Sequence, residues 1–189
     1  NYLQQKIDSL KGIYSGTISI GAYHSVAATI LPAMIREFND LYPNIRFNIY
    51  EGDLFSIEEW INEGKIDFGF VALDELSHLQ CIPLLDDPMV AIVPSTSEDA
   101  SLEVFNIEDF NDSSLVTLTE HRDRELYRIF RANNISAQVR YEVEEYETIL
   151  GMVENELGIG FIPLMAVREN YRVTAIPTEP HYSRSIGIA

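Results

Sequence analysis

The chain has 189 residues, 46% of them apolar, which is enough to close a core and excludes a disordered polypeptide. Thirty Asp and Glu against thirteen Lys and Arg leave a net charge of −17, which excludes an extended nucleic-acid surface because phosphate binding needs clustered cations. No apolar run reaches the roughly 18 residues of a membrane span, the N-terminus lacks a signal peptide's apolar stretch, and the single Cys81 forms no internal disulfide. The expectation is a protein of the cytoplasm, with no membrane partner.

Residues 1–11 place Leu3, Ile7 and Leu10 at helical spacing before Gly12, as the end of a longer helix or linker. Gly16 opens a strand that Gly21 closes, and Ser25 is positioned to cap the following helix. That helix carries an apolar stripe of Val26, Ile30, Met34, Phe38 and Leu41, is interrupted by Pro32, and ends at Tyr42-Pro43. Ile45, Phe47 and Ile49 then alternate with Arg46, Asn48 and Tyr50 as a strand. Ser56 and Glu59 have capping-box spacing, Ile57, Trp60 and Ile61 face inward, and Gly64 suits the left-handed position past the helix. The segment 66–71 is apolar almost throughout, as a strand covered on both faces is. Two changes of period inside forty residues imply parallel strands joined by crossover helices.

Two further strands are expected over 79–85 and 89–93, separated by a turn at Asp86-Asp87-Pro88. A strand over 115–118 leads through Thr119, Glu120, His121 and Arg122 into a helix that turns Leu126, Ile129 and Phe130 inward. Val139, Tyr141 and Val143 alternate as a strand, and a helix over 146–155 buries Ile149, Leu150 and Val153. The chain finishes with strands over 159–163, 173–176 and 186–188 around a short helix near 165–169. Residues 73–157 hold nineteen Asp and Glu against five Arg, the remainder eleven against eight Lys and Arg, a contrast that hints at two lobes.

Taken in order, Gly16-Thr17-Ile18-Ser19-Ile20-Gly21, Leu31-Pro32, Phe38, Tyr42-Pro43, Glu51-Gly52, Gly64-Lys65-Ile66-Asp67, Pro83-Leu84 and Leu157-Gly158-Ile159-Gly160-Phe161-Ile162-Pro163 resemble the effector-binding domain of LysR-type transcriptional regulators over about residues 12–189. The resemblance implies an α/β fold of two Rossmann-like lobes joined by two crossover strands, similar to type 2 periplasmic binding proteins. Lobe one would hold 12–72 and 158–189, and lobe two 73–157. It also implies a small-molecule effector in the cleft, no enzymatic activity and no cofactor. DNA binding would come through an N-terminal winged helix-turn-helix absent from this sequence. Assembly as a homodimer or homotetramer is implied through the segments 34–42 and 126–133. Family members usually carry glycine at the position of Glu156, and many carry Ser or Thr at that of Leu54.

Ligands of open α/β sheets sit beyond the carboxyl ends of the strands. Those ends are Tyr23-His24-Ser25 and Asp53-Leu54 on one side, and Thr119-Glu120-His121 and Tyr146 on the other. Ser25 serves equally as a helix cap or a ligand contact. His24 and His121 lack a third ligand at metal-binding spacing, so neither a metal nor a catalytic role is expected. Arg122 reads either as a partner for a ligand carboxylate or, the preferred reading, as paired with Asp123 or Glu125 on the surface. Helix starts at Ser25 and near His121 favour an anion, whereas Asp53, Glu120 and Glu145 suit an amine. A carboxylate or an amino acid is therefore the expected effector. Rival readings are a solute-binding protein of a transporter, which would need a secretion signal, and a dehydratase-like enzyme using Thr119, Glu120 and His121.

Overall fold

The computed structural model describes residues 15–73, 79–120 and 122–189. The helix expected over 1–11 and the residue His121 lie outside them. The chain divides into two compact units, Asn1–Leu85 with Ser185–Ala189, and Asp86–Arg184.

In the first unit β1 (Ser15–Ala22) lies between β2 (Asn44–Glu51) and β3 (Phe68–Ala72). Both neighbours are parallel to it, with Ile20 opposite Ile49 on one side and Phe68 on the other. β10 (Ser183–Ile188) lies on the other side of β3 and antiparallel to it, Ile186 facing Ala72. The helical stretch between β1 and β2 is broken into α1 (His24–Thr29) and α2 (Leu31–Leu41), with Pro32 in the first turn of α2, where its missing N–H leaves no bond unmade. The apolar stripe is only partly covered: Val26 is buried, and Ile30 and Phe38 are of intermediate burial. Leu31 is buried, but Met34 and Leu41 are 41% and 74% exposed.

Helix α3 (Leu54–Asn62) buries Leu54 and Ile57 against Ile66 and Val71. It lies so close to the sheet that a Cβ on Gly69 would stand 2.4 Å from Ile57 Cγ2. Its cap differs from the expected one. Asp53 is the N-cap and accepts the Ser56 N–H at 2.9 Å, so Ser56 is inside the first turn and the Ser56/Glu59 capping box does not form. Gly64 has φ +67°, as the left-handed position after a helix requires.

β4 (Ile82–Pro94), which begins in the first unit and continues into the second, is one strand of 13 residues where the sequence predicts two strands and a turn. The polar triplet does not turn because Asp87 is buried with partners of its own, and from Met89 onward the strand is buried. β8 (Gly160–Pro163) and β9 (Val173–Glu179) both pair antiparallel with β4, placing Ile162 opposite Val90 and Ile176 opposite Ala91. These pairings hold 158–184 in the same unit as 86–157. The expected boundaries at 72 and 158 therefore fall instead at 85/86 and 184/185. Over 86–184 there are nineteen Asp and Glu to eight Arg, and elsewhere eleven to five Lys and Arg, so the charge contrast that hinted at two lobes belongs to the misplaced boundary.

β5 (Phe105–Asn106) pairs with β9, and β6 (Ser114–Leu118) runs parallel to β7 (Gln138–Val143). Helix α4 (Arg124–Ala132) buries Leu126, Ile129 and Phe130 in a core with Leu115, Phe110 and Phe161. Helix α5 (Tyr146–Glu154) buries Ile149, Leu150 and Val153 in a second core with Val116 and Ile162. After α5 the left-handed residue is Glu156 (φ +61°), and its carboxylate accepts the Thr96 hydroxyl at 2.8 Å. A left-handed conformation costs a residue with a Cβ roughly 1 kcal/mol, and an exposed hydrogen bond offsets only part of that. Glu156→Gly is thus expected to raise the thermal unfolding midpoint, and an unchanged or lower midpoint would show that the Thr96 tie outweighs the strain.

Candidate functional site

Each unit brings two loops together at the carboxyl ends of a parallel strand pair. In the first, Ala22 at the end of β1 is opposite Glu51 at the end of β2, and Gly52 N–H donates to Ala22 C=O at 3.2 Å. That register puts His24 beside Glu51, Nδ1 to Oε2 at 2.5 Å, with both side chains about half exposed. Tyr23 is the N-cap of α1 and makes no side-chain cap bond, while its hydroxyl receives the Ala72 N–H at 3.5 Å. Ser25 is therefore not the cap. It lies inside the first turn and is 2% exposed. Asp53 is held by its capping bond, and Leu54, at 6% exposure, belongs to the core of the unit.

In the second unit Leu118 is opposite Val143, and Thr119 N–H donates to Val143 C=O at 3.2 Å. The Thr119 carbonyl accepts from the N–H groups of Arg122 and Asp123, which turns the chain into α4. Arg122 pairs across the two loops, Nε to Glu144 Oε2 at 2.6 Å and Nη1 to Glu145 Oε1 at 3.5 Å, rather than with Asp123 or Glu125. The sequence placed its partners nearby in the chain, whereas strand pairing supplies them from the neighbouring loop. Glu120 is ion-paired with Arg131, one α4 length away. Tyr146 opens α5 and packs half-buried against the second core. Tyr127 was not singled out from the sequence. Its hydroxyl donates to Glu142 at 3.3 Å, and burial together with that carboxylate pushes its pKa up to about 12.

Two features bear on ligand chemistry. Asp53 and Asp123 already cap α3 and α4, the latter accepting the Leu126 N–H at 3.1 Å, so the anion preference expected of a helix start near His121 is met by a residue of the chain itself. The Thr119 Oγ1 is buried and has no hydrogen-bond partner among the described residues, and neither has Thr117 Oγ1. Buried hydroxyls are normally partnered, so Thr119 is a donor and acceptor held in reserve at the loop. Among the described residues no group of His, Cys, Asp and Glu is arranged to hold a metal ion, and no helix is long and apolar enough to cross a membrane.

Residues 11–189 match the family described as LysR substrate binding domain. Among curated relatives, the uncharacterized HTH-type transcriptional regulator YoaU of Bacillus subtilis is 27% identical over 184 residues, 93% of this chain and 61% of the relative. The probable HTH-type transcriptional regulator LrrA of Synechococcus elongatus is 26% identical over 177 residues, 90% and 55% of the two chains. The chain thus spans only about three fifths of the length of such relatives. Among solved structures, the effector binding domain of QuiR in complex with shikimate superposes with a TM-score of 0.83 at 21% identity, covering 92% of this chain and 86% of that one. The regulatory domain of CcmR from Synechocystis PCC6803, in complex with 2-PG, superposes with a TM-score of 0.82 at 17% identity, covering 92% and 86%.

Proposed function

Because the chain belongs to the family of LysR substrate binding domains, a ligand-sensing regulatory fold, we propose that it is the sensor of a longer cytoplasmic transcription regulator whose helix-turn-helix contacts DNA. The effector is a carboxylate or an amino acid. The candidate contacts are Tyr23, His24, Ser25, Asp53 and Leu54 at the strand ends of the first unit, and Thr119, Glu120, His121 and Tyr146 at those of the second. The observation that carries this reading is the pairing of loop ends in each unit, Ala22 with Glu51 and Leu118 with Val143, together with the reserved Thr119 hydroxyl. Arg122, set against Glu144 and Glu145, suits a carboxylate, and the surrounding glutamates suit an amine.

Thr119→Val separates binding from folding. The hydroxyl has no partner to lose, so the melting temperature without ligand is expected to hold or rise, while affinity for the effector falls by about 1 kcal/mol, the net worth of one hydrogen bond. A thermal-shift screen of amino acids and small carboxylates finds the effector, and the same titration on Thr119→Val checks the prediction. An effector whose binding is indifferent to Thr119→Val, His24→Ala and Tyr146→Ala alike would place the site elsewhere.

The sensor associates with a second copy through the α2–β2 face of one chain and the α4–β7 face of the other. Supporting this are the uncovered Met34, Leu41 and Ile49 on the first face and Val139 on the second. Leu41→Glu is expected to shift the chain toward monomer in sedimentation velocity with little loss of stability, and a wild-type chain that stays monomeric at high concentration would refute the association.

A further inference from the structure

Glu51 is the last residue of β2, and His24, 27 residues earlier, is the first of α1. The parallel pairing of β1 with β2 sets Glu51 opposite Ala22, and Gly52 N–H donates to Ala22 C=O at 3.2 Å, so the backbone holds the two loop ends together where these side chains meet. His24 Nδ1 lies 2.5 Å from Glu51 Oε2. An ionised carboxylate only accepts hydrogen bonds, so at this contact the proton is on Nδ1 and the imidazole donates. An unconstrained neutral imidazole prefers the other tautomer, with its proton on Nε2. The hydrogen bond made by one ring nitrogen therefore decides what the other nitrogen offers.

We propose that Glu51 is a positioning residue for the effector: it locks neutral His24 as the Nδ1–H tautomer, so that the ring presents the lone pair of Nε2 to the site. A lone pair accepts and cannot donate, so its complement is an ammonium or hydroxyl group of the effector and not a carboxylate oxygen. Of the two effector classes above, this selects an amino acid over a carboxylate that lacks the amine. Stability gives the pair little other purpose, since both side chains are about half exposed and a pair so placed adds little to folding. The inference deepens the sensing role proposed above and rests on it for its purpose, but the tautomer itself is measurable with no effector present.

The test is a long-range proton–nitrogen correlation spectrum of the histidine rings, recorded above the ordinary histidine range of pH so that the rings are neutral. The chain has four histidines, so the signals of His24 are assigned by their loss in His24→Gln. The result expected is Nδ1–H in the parent and a return toward Nε2–H in Glu51→Ala. Glu51→Met, which keeps the length of the side chain without its oxygens, serves if Glu51→Ala does not fold. Nε2–H in the parent, or the same tautomer with and without the carboxylate, would overturn the positioning role whether or not the melting temperature falls. In binding, the parent's preference for an amino acid over the same compound without its amine is expected to shrink about fivefold in Glu51→Ala, the worth of one hydrogen bond. A parent that binds both equally, or a preference that survives Glu51→Ala undiminished, would overturn the assignment of the amine. Failure of the sensing role reads differently, as the absence of any thermal shift with amino acids or carboxylates in a parent whose His24 is nonetheless Nδ1–H.

Discussion

Phe161→Ala is expected to lower the free energy of unfolding by about 3–5 kcal/mol, the usual range for a fully buried phenylalanine. Phe161 comes from β8 and is 0% exposed. Its ring lies 5.3 Å from that of Phe110 and stacks at 5.9 Å on that of Phe130, with Tyr182 edge-on at 6.5 Å. Four aromatic side chains from four segments therefore share one truncation, and none of the others can collapse into the space without leaving its own neighbours. The effect reaches the candidate site, since Phe130 anchors α4, whose first turn Asp123 caps beside the Thr119 loop. A denaturant titration is the check. The midpoint should fall sharply at nearly constant slope, and a loss below about 1 kcal/mol would mean that the cluster is loosely packed.

Asp87→Ala is expected to be comparably severe, about 3–5 kcal/mol, because it strands the Arg184 guanidinium in the interior and leaves the Met165 N–H without its acceptor. The informative comparison is the double replacement Asp87→Leu with Arg184→Met. Removing both charges and refilling the volume should recover much of the loss, since neither charge then needs a partner. If the double variant is as unstable as Asp87→Ala alone, the Met165 bond carries more of the effect than the ion pair does, which the same denaturant titration would reveal.

Asp87 also shows where sequence reading stops. Asp-Asp-Pro has the local chemistry of a turn, and only a partner 97 residues away makes it the interior of a long strand. The helices and parallel strands were legible because their signal is periodic and local: Leu126, Ile129 and Phe130, or Ile149, Leu150 and Val153, face inward as their spacing requires. The boundaries between units were not, because β8 and β9 join β4 through pairings that leave no mark on their own residues. At the candidate site, the strand ends were found where topology demands, but the roles of individual residues shifted. Ser25 proved to be an interior residue and not a cap, Asp53 took the cap from Ser56, and Arg122 found its glutamates on the next loop. Each change came from a contact whose partner the sequence pattern does not specify. Thr119 is the converse case, a hydroxyl whose interest lies in having no partner, which no pattern encodes.

The chain has a single tryptophan, Trp60 of α3, whose indole packs over Gly52 in the loop that joins β2 to α3. Gly52 makes this possible, since a Cβ there would stand 2.7 Å from the indole Cη2. The ring is 5.8 Å from that of Tyr50, and the Lys65 ammonium sits 4.3 Å from its centroid. Light absorbed by the indole alone is therefore emitted from one address, next to Glu51 and Asp53, with a positive charge on its face. A ligand that draws those two carboxylates or displaces Lys65 would change the colour or yield of that emission without any label. A ligand confined to the second unit would leave the spectrum dark to its arrival, so titrating the unmodified chain by fluorescence reports which half of it a compound has reached.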